Sequence, residues 1–235
     1  MNKPAKYREL LRGGKTIWAA GAYDALSAKL IEEAGFDVVM TSGFAVSAAL
    51  LGQPDVELYT MTENLGVGKN VCNAVEVPVI ADTDTGYGNA INVMRTVREF
   101  ELVGVAGIIL EDQQSPKRCP ACTDQIEIIS KEEGIAKIRA AVAARRNPDL
   151  VIIARTDARD PAEAMERGKA YAAAGADIIQ PISRTFKDIA GLRAMRQAVG
   201  RPLSLQILGW LEKDLSQADI ESVAGMATYP LVPLM

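Results

Sequence analysis

The sequence predicts an α/β chain closed into a (β/α)8 TIM-type barrel, on three observations. Eight short apolar, β-branched runs alternate with seven helix-like segments along the 235 residues. The runs are nearly all apolar rather than alternating, as strands covered on both faces are, and helical crossovers between them imply parallel neighbours. No Gly-x-Gly-x-x-Gly follows the first run and no linker or composition break divides the chain. The barrel is therefore favoured over an open doubly wound sheet, with residues 1–235 as one domain.

The eight runs are Thr16–Ala20, Asp37–Thr41, Pro78–Asp82, Gly107–Glu111, Leu150–Arg155, Asp177–Pro181, Pro202–Gln206 and Met226–Tyr229. Between them, helices are expected near 24–34, 60–75, 90–103, 131–146, 161–174, 186–198 and 216–223. Four of these segments end in Gly35, Gly104, Gly175 and Gly200, each suited to a left-handed C′ position before the next strand. Ser130 with Glu133 reads as a capping box, and Asp160-Pro161 as an N-cap followed by proline at N1. The chain stops soon after the eighth run, at Leu231–Met235, so a C-terminal covering helix is missing from the expected pattern.

Composition narrows the function classes. Apolar residues make up 49% and charged residues 24%, as in a soluble globular protein. The net charge is −4, from 26 basic and 30 acidic side chains, which offers nucleic acid nothing to grip. There is no histidine, which removes Ser–His–Asp triads, Cys–His dyads and histidine-rich zinc sites. Three cysteines are too few for a disulfide scaffold and fit a reducing cytoplasm. No apolar stretch follows the first basic residues, so no secretory signal is expected. The charge-free stretch from Val38 to Pro54 is too short and too polar to cross a membrane.

In a barrel, chemistry sits at the C-terminal ends of the strands. Here those ends read Ser42-Gly43, Asp82-Thr-Asp84-Thr-Gly, Glu111-Asp112-Gln113 and Arg155-Thr156-Asp157. Burying several carboxylates together is expensive unless a cation neutralises them. An all-oxygen donor set suits a hard, partly hydrated cation, Mg2+ or Mn2+. Asp84 is expected beyond the strand proper, where the chain has turned into the Gly86/Gly88 loop.

The string Pro-Val-Ile-Ala-Asp82-Thr-Asp84-Thr-Gly-Tyr-Gly-Asn resembles a hallmark of the isocitrate lyase/phosphoenolpyruvate mutase superfamily. So do Gly-Ile-Ile-Leu-Glu111-Asp112-Gln, Lys117-Arg118-Cys119, Ile-Ala-Arg155-Thr-Asp157-Ala and Tyr229-Pro230-Leu, in order, over nearly the whole chain. The likeness is greatest to the methylisocitrate lyase and carboxyphosphonoenolpyruvate phosphonomutase branch. It implies a barrel that assembles as a homodimer or homotetramer by swapping a C-terminal helix. It also implies Mg2+ held directly by Asp82, with Asp55, Asp84 and Glu111 holding the metal's waters. Ser42 and Gly43 match contacts to a 2-keto acid carboxylate, Tyr23 is a further substrate contact, and Arg155 matches the arginine beside a developing enolate. Cys119 matches a proton-transferring cysteine on a mobile loop, and Lys117 and Arg118 beside it would lower its pKa.

Three departures bear on the substrate. The lyases carry Cys-Gly-His in that loop, where this chain has Cys119-Pro120-Ala121-Cys122, and Pro120 is expected to stiffen the segment. After the sixth and seventh strands the lyases place acids, where this chain has Gln180-Pro181-Ile182 and Gln206-Ile207-Leu208-Gly209. The expected activity is therefore a Mg2+-dependent carbon–carbon lyase acting on a small 2-hydroxy acid through a 2-keto acid enolate. The alternatives are an oxaloacetate-type decarboxylase or hydrolase, a phosphonopyruvate-type phosphorus–carbon enzyme, and a degenerate barrel without catalysis. The 17-residue connection 113–129 is expected to be a lid that is mobile over an empty site.

Overall fold

The computed structural model describes residues 2–119 and 122–231. Eight parallel strands close into a barrel in sequence order. They are β1 Ile17–Ala22, β2 Val38–Thr41, β3 Val79–Asp82, β4 Gly107–Glu111, β5 Val151–Thr156, β6 Ile178–Pro181, β7 Leu203–Gln206 and β8 Ala224–Tyr229. β8 pairs back onto β1 through Ile17↔Met226 and Ala20↔Tyr229.

Strand parity assigns each residue a side. Ala20, Val39, Val79, Ala81, Ile108, Leu110, Ile152, Ala154 and Ile179 pack outward, with the apolar faces of the surrounding helices. Ala19, Val38, Met40, Ile80, Ile109, Val151, Ile153, Ile178 and Met226 fill the interior. Each fully buried isoleucine in these layers contributes about 1.5–3 kcal/mol relative to exposure. Continuing the inward column by two residues brings Ile80 to Asp82, Ile109 to Glu111, Ile153 to Arg155 and Ile178 to Gln180. The same periodicity that builds the core thus aims four polar side chains into the mouth.

The helices expected from the sequence are present: α2 Ala25–Glu33, α4 Met61–Ala74, α5 Ala90–Leu102, α6 Lys131–Ala144, α7 Pro161–Ala173, α8 Ile189–Val199 and α10 Gln217–Val223. Gly35, Gly104, Gly175 and Gly200 all take positive φ, as their C-terminal positions require. The Ser130 side chain accepts the Glu133 amide at 3.1 Å, the first half of the expected capping box.

Three helices were not expected. In α1 (Lys3–Arg12) the apolar stripe is thin, but Tyr7 is fully buried against the barrel floor and its hydroxyl contacts the Met226 sulfur at 3.1 Å. The second half of the charge-free stretch is α3 (Gly43–Leu51), capped by Ser42 and ended by Gly52 in the left-handed region. It is apolar on most faces, so no helical period shows in its sequence. The third, α9 (Trp210–Lys213), is a single turn. After β8 the chain crosses the mouth over β1, where a Cβ on Gly21 would lie 2.2 Å from the Pro230 carbonyl oxygen, so only glycine fits. Most of the apolar tail expected to lack cover, residues 232–235, lies outside the described residues, as does Pro120.

Candidate active site

Pairing sets the first tier. Glu111 is opposite Arg155, and Arg155 opposite Gln180, so these three inward side chains stand side by side at the C-terminal rim. The Arg155 guanidinium forks between Glu111 Oε2 at 2.8 Å and Asp157 Oδ1 at 2.7 Å. Asp82 ends β3, and its neighbour Asp84 lies beyond the strand with φ +50°. That left-handed turn folds the chain back, so that the Asp84 amide bonds to Asp82 Oδ1 at 3.1 Å and the Asp84 carbonyl accepts the Glu111 amide at 3.0 Å.

Asp84 is consequently sunk beneath Asp82 and wholly buried. The Tyr59 hydroxyl donates to its Oδ2 at 2.6 Å, and the Lys117 ammonium bonds to its Oδ1. The same ammonium lies 3.0 Å from Asp55 Oδ2 and 3.8 Å from Glu111 Oε1. Burial would push the Lys117 amine down, but the charges of Asp84, Glu111 and Asp55 outweigh it and hold it well above its ordinary value. Burial, reinforced by the Asp84 charge, pushes the Asp82 carboxyl up to about 6. Burial likewise raises Glu111 and Asp55 against the opposing pull of Arg155 and Lys117.

The donor set fits a hydrated hard cation. Five carboxylates (Asp55, Asp82, Asp84, Glu111, Asp157) face two cations, and Asp55 Oδ1 and Glu111 Oε1 are buried with no hydrogen-bond partner. Among the described residues no three acidic or sulfur side chains converge into a ready metal shell. A cation here would be held by few direct carboxylates and would reach the others through water, as suits Mg2+.

Above the acids lies a cavity of about 330 Å3, within the range of small-molecule sites. Ser42, Asp55, Asp82, Cys119 and Arg155 line one side. The other side is Gln180, Ile182, Gln206, Leu208 and Trp210, with Phe44 and Arg184 at the margins. Ser42 caps α3, so the helix N-terminus opens beside the cavity, where a substrate carboxylate is favoured. Gly43 sits just behind, its amide 3.4 Å from Asp82 Oδ2, and a Cβ there would press on Tyr59, Asp82 and Asp84 at 3.0–3.1 Å.

The sequence-based site is largely assembled, with three differences. Asp84, Glu111 and Lys117 lie under the cavity floor rather than on its surface. Tyr23 lines a groove between α2, α3 and α4 with Leu26 and Leu50 and is not among the residues lining the mouth cavity. Lys117 is turned into the acids and Arg118 outward onto Glu127 at 2.6 Å, so the two cations flanking Cys119 are spent on carboxylates.

The described parts of the 113–129 connection, 113–119 and 122–129, lie against the mouth. A Gln113↔Ile128 bridge closes its base, and Asp124 pairs with Arg159 and Arg184 across the rim. Cys119 is 2% exposed at the cavity wall. Sequence reasoning missed the residue that fastens this loop. Glu57, at φ +57°, accepts the Lys117 amide at 2.9 Å and the Thr85 amide at 3.3 Å, and also the Thr85 hydroxyl. A non-glycine residue in that region costs energy, and three hydrogen bonds compensate. Nothing in the local string Asp-Val-Glu57-Leu signals it, because the bonds run to segments 28 and 60 residues away.

Comparison with known proteins agrees with this architecture. Residues 7–227 match the phosphoenolpyruvate phosphomutase family. A 2,3-dimethylmalate lyase from Eubacterium barkeri is 57% identical over 182 residues, covering 76% of this chain and 63% of that protein. An oxaloacetate decarboxylase from Rhodopseudomonas palustris is 40% identical over 201 residues, covering 84% of this chain and 68% of that protein. A phosphonopyruvate hydrolase solved with oxalate and Mg2+ superposes with a TM-score of 0.86 at 36% identity, covering 97% of this chain and 80% of that one. The family match runs from α1 into β8, and the chain belongs to the phosphoenolpyruvate mutase/isocitrate lyase superfamily.

Proposed function

We propose that this chain is a Mg2+-dependent carbon–carbon lyase that splits a small, alkyl-substituted 2-hydroxy diacid of the malate class into a 2-keto acid and a carboxylic acid. The observation that carries the reading is one cavity onto which Asp82, Arg155, Ser42 and Cys119 all open and whose far wall is largely apolar. The 2,3-dimethylmalate lyase relative supports a branched substrate, and the related hydrolase solved with oxalate and Mg2+ supports the metal.

Asp82 would hold the ion directly, and Asp55, Asp84 and Glu111 its waters. When bound, the metal supplies a Lewis acid for the carboxylate and carbonyl oxygens of the keto-acid half. Ser42 and the α3 N-terminus orient that carboxylate. As the 2-hydroxyl proton passes to the carboxylate cluster, C2–O becomes a carbonyl and the C2–C3 bond breaks. Its electron pair is delocalised as an enolate on the departing acid, not on the 2-keto acid half expected from the sequence, because cleavage leaves C2 as a finished carbonyl. Arg155 stabilises the developing negative charge, and the Cys119 thiol delivers a proton to C3. The folded 113–129 loop keeps water from that enolate. Its opening over an empty site is part of this proposal.

Decarboxylation of an oxaloacetate-like keto acid is the second reading, favoured by the decarboxylase relative and by Gln180 and Gln206 standing where acids would be expected. It needs no proton from Cys119. Coupled detection of 2-keto acid release from a panel of 2-hydroxy acids tests the first reading. Carbon dioxide release from oxaloacetate that survives Cys119→Ser, with no activity on the panel, would replace it with the second.

Among the described residues no helix is long and apolar enough to cross a membrane. We assign the protein to the cytoplasm on its free cysteines, and expect a homodimer or homotetramer. Exposed leucines on α2 and α3 (Leu26, Leu30, Leu50 and Leu51) leave apolar surface for a second copy to cover. A monodisperse monomer by light scattering at micromolar concentration would refute that assembly.

A further inference from the structure

The loop that carries Cys119 carries a second thiol, for which the reaction above has no use. Cys122 is exposed, whereas Cys119 is 2% exposed and faces the cavity. The Cys122 amide donates to the Cys119 carbonyl at 2.9 Å and the Thr123 amide to the same oxygen at 3.1 Å. Cys122 and Thr123 therefore both lie against Cys119. A turn closed by a bond between residues i and i+3 keeps their Cα atoms within about 7 Å, and a disulfide spans about 4.4–6.8 Å. The side chains meet as well: the Cys119 sulfur, by hydrogen bond and charge, pushes the Cys122 thiol up. Cys72, the third cysteine, is buried on α4 among Val71, Val75 and Val97 and has no part in this pair.

We infer that Cys119 and Cys122 form a redox pair, in which hydrogen peroxide converts the two thiols into a reversible disulfide that shuts the site. Cys119 disfavours ionisation of Cys122, but Cys122 is the thiol within reach of solvent, and its minor thiolate form attacks a peroxide oxygen. The O–O bond breaks, one water leaves, and Cys122 becomes a sulfenic acid. The Cys119 thiolate then attacks that sulfur, the S–O bond breaks and a second water leaves. Two thiols and one peroxide give one disulfide and two waters, with both sulfurs oxidised and both peroxide oxygens reduced. In cytosolic proteins such disulfides are typically transient and regulatory. The bond removes the thiol proton from the mouth, so the consequence for turnover rests on the role proposed for Cys119, while formation of the bond does not.

The test is peroxide treatment of the full-length protein, read by intact mass, thiol titration in denaturant and turnover. The expected result is a loss of about 2 Da per chain, as in any two-thiol oxidation. Titratable thiols should fall from three to one, and a peptide should link Cys119 to Cys122. Turnover should fall ~100-fold, the usual scale for removing a general acid, and dithiothreitol should restore it. Cys122→Ser should keep basal turnover and show no such mass loss. Sulfinic acid on either cysteine without the linked peptide, or a bond between two chains, overturns the pair. Complete linkage with undiminished turnover overturns the switch. Linkage in a protein that turns over none of the acids leaves the pair standing and refutes the proposed reaction instead.

Discussion

Two charge clusters, one half-buried and one buried, sit at opposite ends of the barrel, built from the same kinds of side chain in opposite proportions. At the N-terminal face one carboxylate, Asp177, meets two arginines: Arg8 at 2.7 Å and Arg145 at 2.8 Å. The Ile152 amide adds a bond at 2.9 Å, and both arginines also bind the Leu150 carbonyl. At the C-terminal mouth four carboxylates share Lys117 and Arg155 with Asp82 beside them, and several of their oxygens have no hydrogen-bond partner. Burial pushes the Asp177 carboxyl up, but the hydrogen bonds and charges around it leave it below its ordinary value. Burial at the mouth wins, and Asp82 rises to about 6. A satisfied cluster fastens α1, β5, β6 and the end of α6. An unsatisfied one is maintained at a cost, which is intelligible if a cation and a substrate complete it.

The largest break in this contrast is expected from Asp82→Ala. Keto-acid release should drop to background, and Mg2+ should no longer register by titration calorimetry, while the melting temperature holds or rises. Asp84→Ala and Glu111→Ala should weaken metal affinity only ~10–100-fold, as losses behind a direct ligand do. Equal Mg2+ affinity in wild type and Asp82→Ala removes the metal from the mouth. Next comes Cys119→Ser, expected to lower turnover ~100-fold with oxalate affinity near wild type. Unchanged turnover ends the lyase mechanism.

Much of the mouth was legible in the sequence because barrel strands are short and their ends carry the acids. Asp82, Glu111 and Arg155 could be placed at successive strand ends from hydrophobic runs alone. What stayed hidden was depth. Only the turn at Asp84, with its positive φ, shows that Asp84 and Lys117 lie under the floor. Tyr23 follows a strand end as the others do, yet its chain leaves β1 towards α2 and turns it to another groove. The floor cluster was hidden for a different reason. Arg8 sits on a helix too polar to read, and its partner Asp177 is 169 residues away.

Asp177→Asn probes the other side of the comparison. It leaves two arginines with no carboxylate, but each partner keeps 16–19% of its side-chain exposure, which softens the penalty. A loss of about 2 kcal/mol is expected, below the range for a fully buried pair. That corresponds to about 4–8 °C in melting temperature for a chain of this size, with kcat and KM unchanged. A variant that melts like wild type and loses turnover would invert the assignment of the two ends. Glu57→Gln should act between them. It keeps the side chain's shape but weakens the bonds to Lys117 and Thr85, so kcat/KM should fall a few-fold, about 1 kcal/mol or less. Proteolytic cleavage within 113–129 should quicken at the same time. Unchanged protection of the loop refutes the fastening role.

The smallest effect is in the pH dependence of stability, and there the two ends should differ in sign. Asp177 has a folded-state pKa below its unfolded value of about 3.9, so its contribution is present above that value and fades as pH falls through the folded one. The gap in melting temperature between wild type and Asp177→Asn should therefore be full at pH 7 and 5 and shrink below about pH 4. Asp82, raised to about 6, behaves oppositely in metal-free protein. Between roughly pH 4 and 6 the unfolded chain has released that proton and the folded chain has not, so stability falls as pH rises through this window. Wild type in chelator should lose ground to Asp82→Asn over the same interval, by up to a few degrees. Parallel melting curves for wild type and both variants from pH 3 to 7 would show that the two clusters are electrostatically equivalent, and the division between a fastening end and a reacting end would fail.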